Sequence, residues 1–168
     1  MYNMKYMSID ALDRKVWKNK KGEYHRLDGP AIEFFDGGKE WWEYGKLHRL
    51  SGPAKEYSNG DKLWYYKGKL HRLDGPAIER HDGKEYWYQN DLLSRVDGPA
   101  IEFPNHSYKA WIFRGLFHRL DGPAIMFANG KNEWFKSGIM FENKDKFFEA
   151  LTEEEKEIAL FSEDFLNG

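Results

Sequence analysis

The nine residues HRLDGPAIE stand at His25–Glu33 and again at His71–Glu79. Variants keep the plan: HRLSGPAKE at His48–Glu56, SRVDGPAIE at Ser94–Glu102 and HRLDGPAIM at His118–Met126. Measured on Gly-Pro-Ala, the intervals are 23, 23, 23 and 24 residues. A second series keeps step at Trp41, Trp64, Trp87, Trp111 and Trp134. Each Trp follows its Ala by ten residues, except Trp111, which follows by eleven because PNHSYKAW replaces a tight turn. A fixed period of this length means one supersecondary unit built repeatedly, each copy burying its apolar surface against the next.

Within a unit, Ala31–Phe35 and Lys39–Tyr44 flank Asp36-Gly37. Asn59-Gly60, Asp82-Gly83 and Asn129-Gly130 fill the same place in other units. Asp-Gly and Asn-Gly tolerate the positive φ of a tight turn, and the flanks are rich in Ile, Phe, Trp and Tyr. Each unit is therefore predicted to be a β-hairpin. Alternation places Ile32 and Phe34 on one face and Ala31 and Glu33 on the other; Trp41 and Trp42 divide likewise, so both faces carry aromatics. Gly45, Gly68, Gly115 and Gly138 permit a bend after the Trp strand, with Asp91 replacing glycine once. Asp-Gly-Pro then turns the chain into the next hairpin.

The ends differ, as caps must. Residues 1–24 read as an N-terminal cap with a degenerate half repeat around Trp17, residues 25–141 as five hairpin repeats, and residues 142–168 as a helical cap. Thr152 with Glu155 is a capping box, and KDKFFEAL is a short helix before it. The expected fold is mainly β: an elongated antiparallel sheet of five or six stacked hairpins closed by C-terminal helices.

Composition excludes several functions. The chain has 168 residues and no cysteine, so disulfides and thiol chemistry are absent. The net charge is −2; residues 142–168 carry −6, leaving a mildly basic +4 for residues 1–141. That balance disfavours nucleic acid as a partner. No apolar run has the length of a membrane span, and MYNMKYMSID lacks the order of a signal peptide. The expected location is cytoplasmic.

The ladders are the candidate sites. His48, His71 and His118, with His25, recur once per repeat; Ser94 breaks the series. Ligands spaced along an axis do not converge on a metal, so a turn hydrogen bond or a ligand contact is expected, and no metal. The Arg ladder is Arg26, Arg49, Arg72, Arg95 and Arg119, and Asp follows two residues later in four cases; Ser51 stands after Arg49. Arg–Asp pairing with stacking on Trp or Tyr is one reading. The other is a row of guanidinium groups gripping anions, with Arg26, Arg49, Arg72 and Arg119 beside Tyr65 and Tyr88 as candidate contacts. Equivalent Glu positions give equal environments, unlike a glycosidase pair. No nucleotide loop, nucleophile elbow or zinc-protease motif occurs, so no catalytic residue or cofactor is expected.

Trp41, Gly45 and His48, repeated at Trp64, Gly68 and His71 and at Trp111, Gly115 and His118, form a Trp-x-x-x-Gly-x-x-His run that resembles the MORN (membrane occupation and recognition nexus) repeat over roughly residues 17–141. The departure is Arg-x-Asp-Gly-Pro-Ala after the His, a version similar to repeat arrays of tailed phages and large DNA viruses. The resemblance implies a hairpin-repeat binding or scaffolding module without chemistry. Its expected partner is a protein, and a viral setting implies inhibition of a host enzyme or defence component in the host cytoplasm. The alternative is a sponge for nucleotides or other small anions. An open sheet edge near residues 1–20 also allows a homodimer.

Overall fold

A computed structural model describes residues 6–162. Residues 1–5 and 163–168, which include parts of both expected caps and half of the segment considered as a signal peptide, lie outside them. The architecture is mainly β, built from consecutive short antiparallel hairpins with two helices at the C-terminal end. No helix among the described residues is long and apolar enough to cross a membrane.

The chain forms two compact units, one of residues up to 81 with 88–91, the other of 82–87 with 92 onward. In the first unit, seven strands follow one another in chain order: Tyr6–Ile9, Lys15–Lys18, Ile32–Glu33, Lys39–Glu40, Lys55–Glu56, Lys62–Leu63 and Ile78–Glu79. Register is fixed by pairs such as Val16 with Ile32, Ile32 with Glu40, Glu40 with Lys55 and Lys55 with Leu63. In the second unit, six follow: Glu85–Tyr86, Ile101–Glu102, Tyr108–Ala110, Ile125–Phe127, Asn132–Lys136 and Ile139–Phe141.

The Asp-Gly and Asn-Gly turns fall where the sequence places them, with a different division of labour. Phe34 N–H donates to Gly38 O at 2.9 Å and Gly37 N–H to Phe34 O at 3.1 Å. Only the glycine, Gly37, has positive φ, at 93°. The Asp36 carboxylate instead accepts from Gly38 N–H at 3.0 Å, as Asn59 does from Asp61 and Asn129 from Lys131. These are three-residue loops, a type I turn followed by a left-handed Gly.

The bend after each Trp is itself a hairpin. Trp42–Glu43 pairs with Lys46–Leu47, Tyr65–Tyr66 with Lys69–Leu70, and Ile112–Phe113 with Leu116–Phe117. Both central residues have positive φ: Tyr44 at 47° with Gly45 at 72°, and Lys67 at 51° with Gly68 at 88°. That is a type I′ turn, whose twist suits two closely paired strands. Each repeat thus holds two hairpins, not the single one expected. The extra residue before Trp111 is absorbed by a turn at Pro104–His106, where Asn105 and His106 are left-handed.

Alanine marks the tightest packing. Ala31, Ala54, Ala77, Ala100 and Ala124 are fully buried. Each gives its carbonyl to the N–H of a Trp, as in Trp41 to Ala54 at 2.8 Å. Trp17 N–H bonds Ala31 O in the same way. The second unit ends in helix α1 (Lys144–Glu149), capped by Asn143, and helix α2 (Glu153–Leu160), whose Thr152/Glu155 capping box forms as read. Phe147 packs on Trp134 and Phe141 of the last hairpin at ring separations of 5.2 and 5.5 Å.

Candidate functional site

The repeated phrase folds into a corner in which nearly every letter has a physical task. Its arginine lies over a tryptophan ring. Arg26 sits 4.0 Å from the Trp17 ring, Arg49 3.8 Å from Trp41, Arg72 4.1 Å from Trp64, Arg95 3.8 Å from Trp87 and Arg119 3.9 Å from Trp111. A guanidinium on an indole face gains cation–π attraction and keeps its edge donors available.

Those donors meet acceptors within the same phrase. Nε of Arg72 donates to Asp74 at 3.1 Å; Nη1 donates to Pro76 O at 3.1 Å and to Glu79 at 2.8 Å. Arg26 repeats this with Asp28, Pro30 and Glu33. Arg95 uses Asp97 and Pro99, and Arg119 uses Asp121, Pro123 and the Met126 sulfur. Arg49, followed by Ser51, bonds Pro53 O at 3.0 Å and Glu56 at 2.9 Å. It has one carboxylate partner where Arg26 and Arg72 have two. The guanidinium beside Asp74 and Asp97 holds both carboxyls below their usual range.

The glycine provides room. A Cβ on Gly75 would stand 2.5 Å from Arg72 Cζ, and on Gly29, Gly98 and Gly122 it would stand 2.7–2.8 Å from the corresponding atom. The arginine is therefore held between an indole face and a bare backbone.

The histidine acts across repeats. Nδ1 of His25 accepts from Tyr44 N–H at 3.2 Å, His48 from Lys67 at 3.2 Å, His71 from Asn90 at 3.3 Å and His118 from Ser137 at 3.1 Å. Each donor is the first, left-handed residue of a type I′ turn. A non-Gly residue there costs about 1–2 kcal/mol. The imidazole acceptor offsets about 1 kcal/mol of it. Where Ser94 replaces His, its Oγ accepts from Arg114 N–H at 3.2 Å, the same task. Burial pushes the His118 imidazole below its ordinary pKa. Among the described residues, no three His, Asp or Glu side chains gather as a metal ligand set.

Tyr65 and Tyr88 lie half-buried, and their carbonyls accept from Arg49 N–H and Arg72 N–H. Burial raises the Tyr65 phenol above its usual pKa. Thus the candidate Arg and His side chains do not project as a row of empty hands. What projects is the third letter: Leu27, Leu50 and Leu73 are 69%, 83% and 71% exposed. In the first unit these leucines border two grooves. One is walled by Leu27, Trp41, His48 and Leu50, the other by Leu50, Trp64, His71 and Leu73.

A further cluster carries no sequence signature. Asp61 is buried and accepts from His81 N–H at 2.7 Å, with the His81 ring at 2.8 Å and Arg80 at 3.1 Å. Burial works to raise the Asp61 pKa, but the His81 contacts and Arg80 charge win and hold it low. It ties the Asn59-Gly60 turn to the end of the Ile78–Glu79 strand within the first unit.

Compared with protein-family models and with curated protein sequences, the chain matches none.

Proposed function

We propose that the chain is a non-enzymatic binding and scaffold protein that engages a protein partner through the exposed corners of its repeats. One observation carries this reading: the phrase spends its Arg, Asp, Gly, Pro and His on its own architecture and turns a leucine outward, three times over in the first unit. Solvent-facing aliphatic side chains of this size, spaced by a repeat, cost solubility and fold nothing, which is the pattern of an interaction surface. The resemblance of the Trp-x-x-x-Gly-x-x-His run to MORN-type repeats, and of the Arg-x-Asp-Gly-Pro-Ala version to phage and large-virus arrays, supports the same class of function. In a viral setting the proposed activity is inhibition of a host enzyme or defence component. Affinity capture with the intact protein, followed by mass spectrometry of retained proteins and small molecules, tests it. A stoichiometric protein partner is expected; retention of a nucleotide with no protein would overturn it.

A second reading, a small-anion sponge, is favoured by Arg49, whose Ser51 neighbour removes the carboxylate that Nε meets in the other four corner arginines. It is separated from the first by calorimetry with nucleotides on the wild type and on Arg49→Ala.

A further inference from the structure

The same leucine occurs four residues before the buried Ala124, and there its surroundings differ. Leu120 packs against the cluster of Trp134, Phe147, Leu151 and Ala159 that the two C-terminal helices build. Helix α2 also contributes Ile158 to the wall of the groove formed by the last two corners of the second unit, beside Val96 and Trp111. Here the chain itself supplies a cover for a corner of this design.

The cover has a definite chemistry. Glu155, Ile158 and Ala159 stand three and four residues apart and share one face of α2. Glu155 pairs with Lys136 at 2.5 Å, next to the turn whose Ser137 N–H bonds His118. The cover is thus an acidic helix with an aliphatic residue one turn after its carboxylate, and it reads a corner leucine and a turn lysine together.

The first unit offers the matching apolar surface twice and the matching charge once, beside His48. Its grooves present Leu27 with Leu50 and Leu50 with Leu73, around Trp41 and Trp64. The adjoining turn brings Lys46 and Lys67 beside His48, as the last turn brings Lys136 beside His118. Both lysines are exposed. We propose that these two grooves are docking sites for an amphipathic acidic helix of a protein partner, its aliphatic side chain on the leucines and, at the Leu27–Leu50 groove, its carboxylate on Lys67. This rests on the protein-binding function proposed above and names the segment the partner inserts.

The probe is a synthetic helix of residues 150–162 of this chain, stapled through positions 153 and 157 on its opposite face. It is titrated into the full-length isotope-labelled protein, and the indole Nε1–H signals are followed. Saturable shifts of Trp41 and Trp64 below about 1 mM are expected, with Trp111 unmoved. Leu50→Glu in the protein and Ile158→Glu in the peptide should each abolish them. Leu50 is mostly exposed, so the variant keeps its fold. No shift at about 1 mM, or shifts that survive Leu50→Glu, overturn the proposal. If a captured partner is held equally by wild type and Leu50→Glu, the binding function stands and the groove assignment falls.

Discussion

Gly75→Ala isolates the logic of the corner in a single methyl group. The φ of Gly75 lies outside the left-handed region, so alanine can adopt its backbone. In open space the change would stabilise by about 0.4–1 kcal/mol through the unfolded chain. Here the new Cβ would stand 2.5 Å from Arg72 Cζ and 2.7 Å from Nε, so the guanidinium must leave the Trp64 face. The loss is the cation–π contact, about 0.5–1 kcal/mol, and two bonds from Nη1 to Pro76 O and Glu79, about 1 kcal/mol each. The contact with the exposed Asp74 adds only a screened attraction. Arg72→Ala should then cost about 2–3 kcal/mol, and Gly75→Ala about 1–2 after its entropic gain. Urea unfolding read by Trp fluorescence gives both, and the double variant closes the cycle. In the Arg72→Ala background, Gly75→Ala should cost nothing or stabilise slightly. An equal cost in both backgrounds would refute the claim that this glycine exists to seat the arginine.

Three further outcomes are expected. His71→Ala should lose about 0.5–1 kcal/mol and expose the Asn90 amide to fast hydrogen exchange, while His71→Ser should recover part of both, as Ser94 does naturally. His118 must be unprotonated at Nδ1 to accept from Ser137 N–H, and burial lowers its pKa in the folded state. Its contribution is complete above the ordinary value of 6.5 and is lost as the pH falls from there through the folded value, so wild type should weaken more than His118→Ser does as the pH falls below 6.5. Arg49→Ala should weaken urea stability by about 2 kcal/mol through its Trp41, Pro53 and Glu56 contacts, and calorimetry should detect no nucleotide binding by the wild type for the variant to lose.

The period, the Asp-Gly loops and the capping box were legible because each rests on local chemistry. Asp36-Gly37 and Thr152/Glu155 act within a few residues, and the spacing of Trp to Ala counts strand residues directly. The type I′ hairpin was hidden because its first position holds Tyr44, Lys67, Arg114 or Ser137, residues that do not announce positive φ. The compensation comes from a histidine nineteen residues earlier, or from Ser94 at twenty, which no local rule finds. The Arg–Asp spacing of two and a stack on Trp or Tyr were visible; which Trp takes it, and that the same arginine covers a glycine, depend on the fold. Asp61 gave no signal, since a lone aspartate after Asn-Gly reads as a turn residue until His81 and Arg80 are brought to it.

The corner arginines are the centre of this account, and their side-chain N–H signals report on them directly. Heteronuclear NMR of arginine Nε–H groups should show all five of Arg26, Arg49, Arg72, Arg95 and Arg119 ring-current shifted, and the four whose Nε donates to an Asp, all but Arg49, slow to exchange. Arg114, which lies 5.0 Å from the Phe113 ring, serves as the comparison and should exchange faster. Five averaged, rapidly exchanging signals indistinguishable from Arg114 would contradict the account. The arginines would then be mobile on the surface, and the repeated phrase would need another reason to exist.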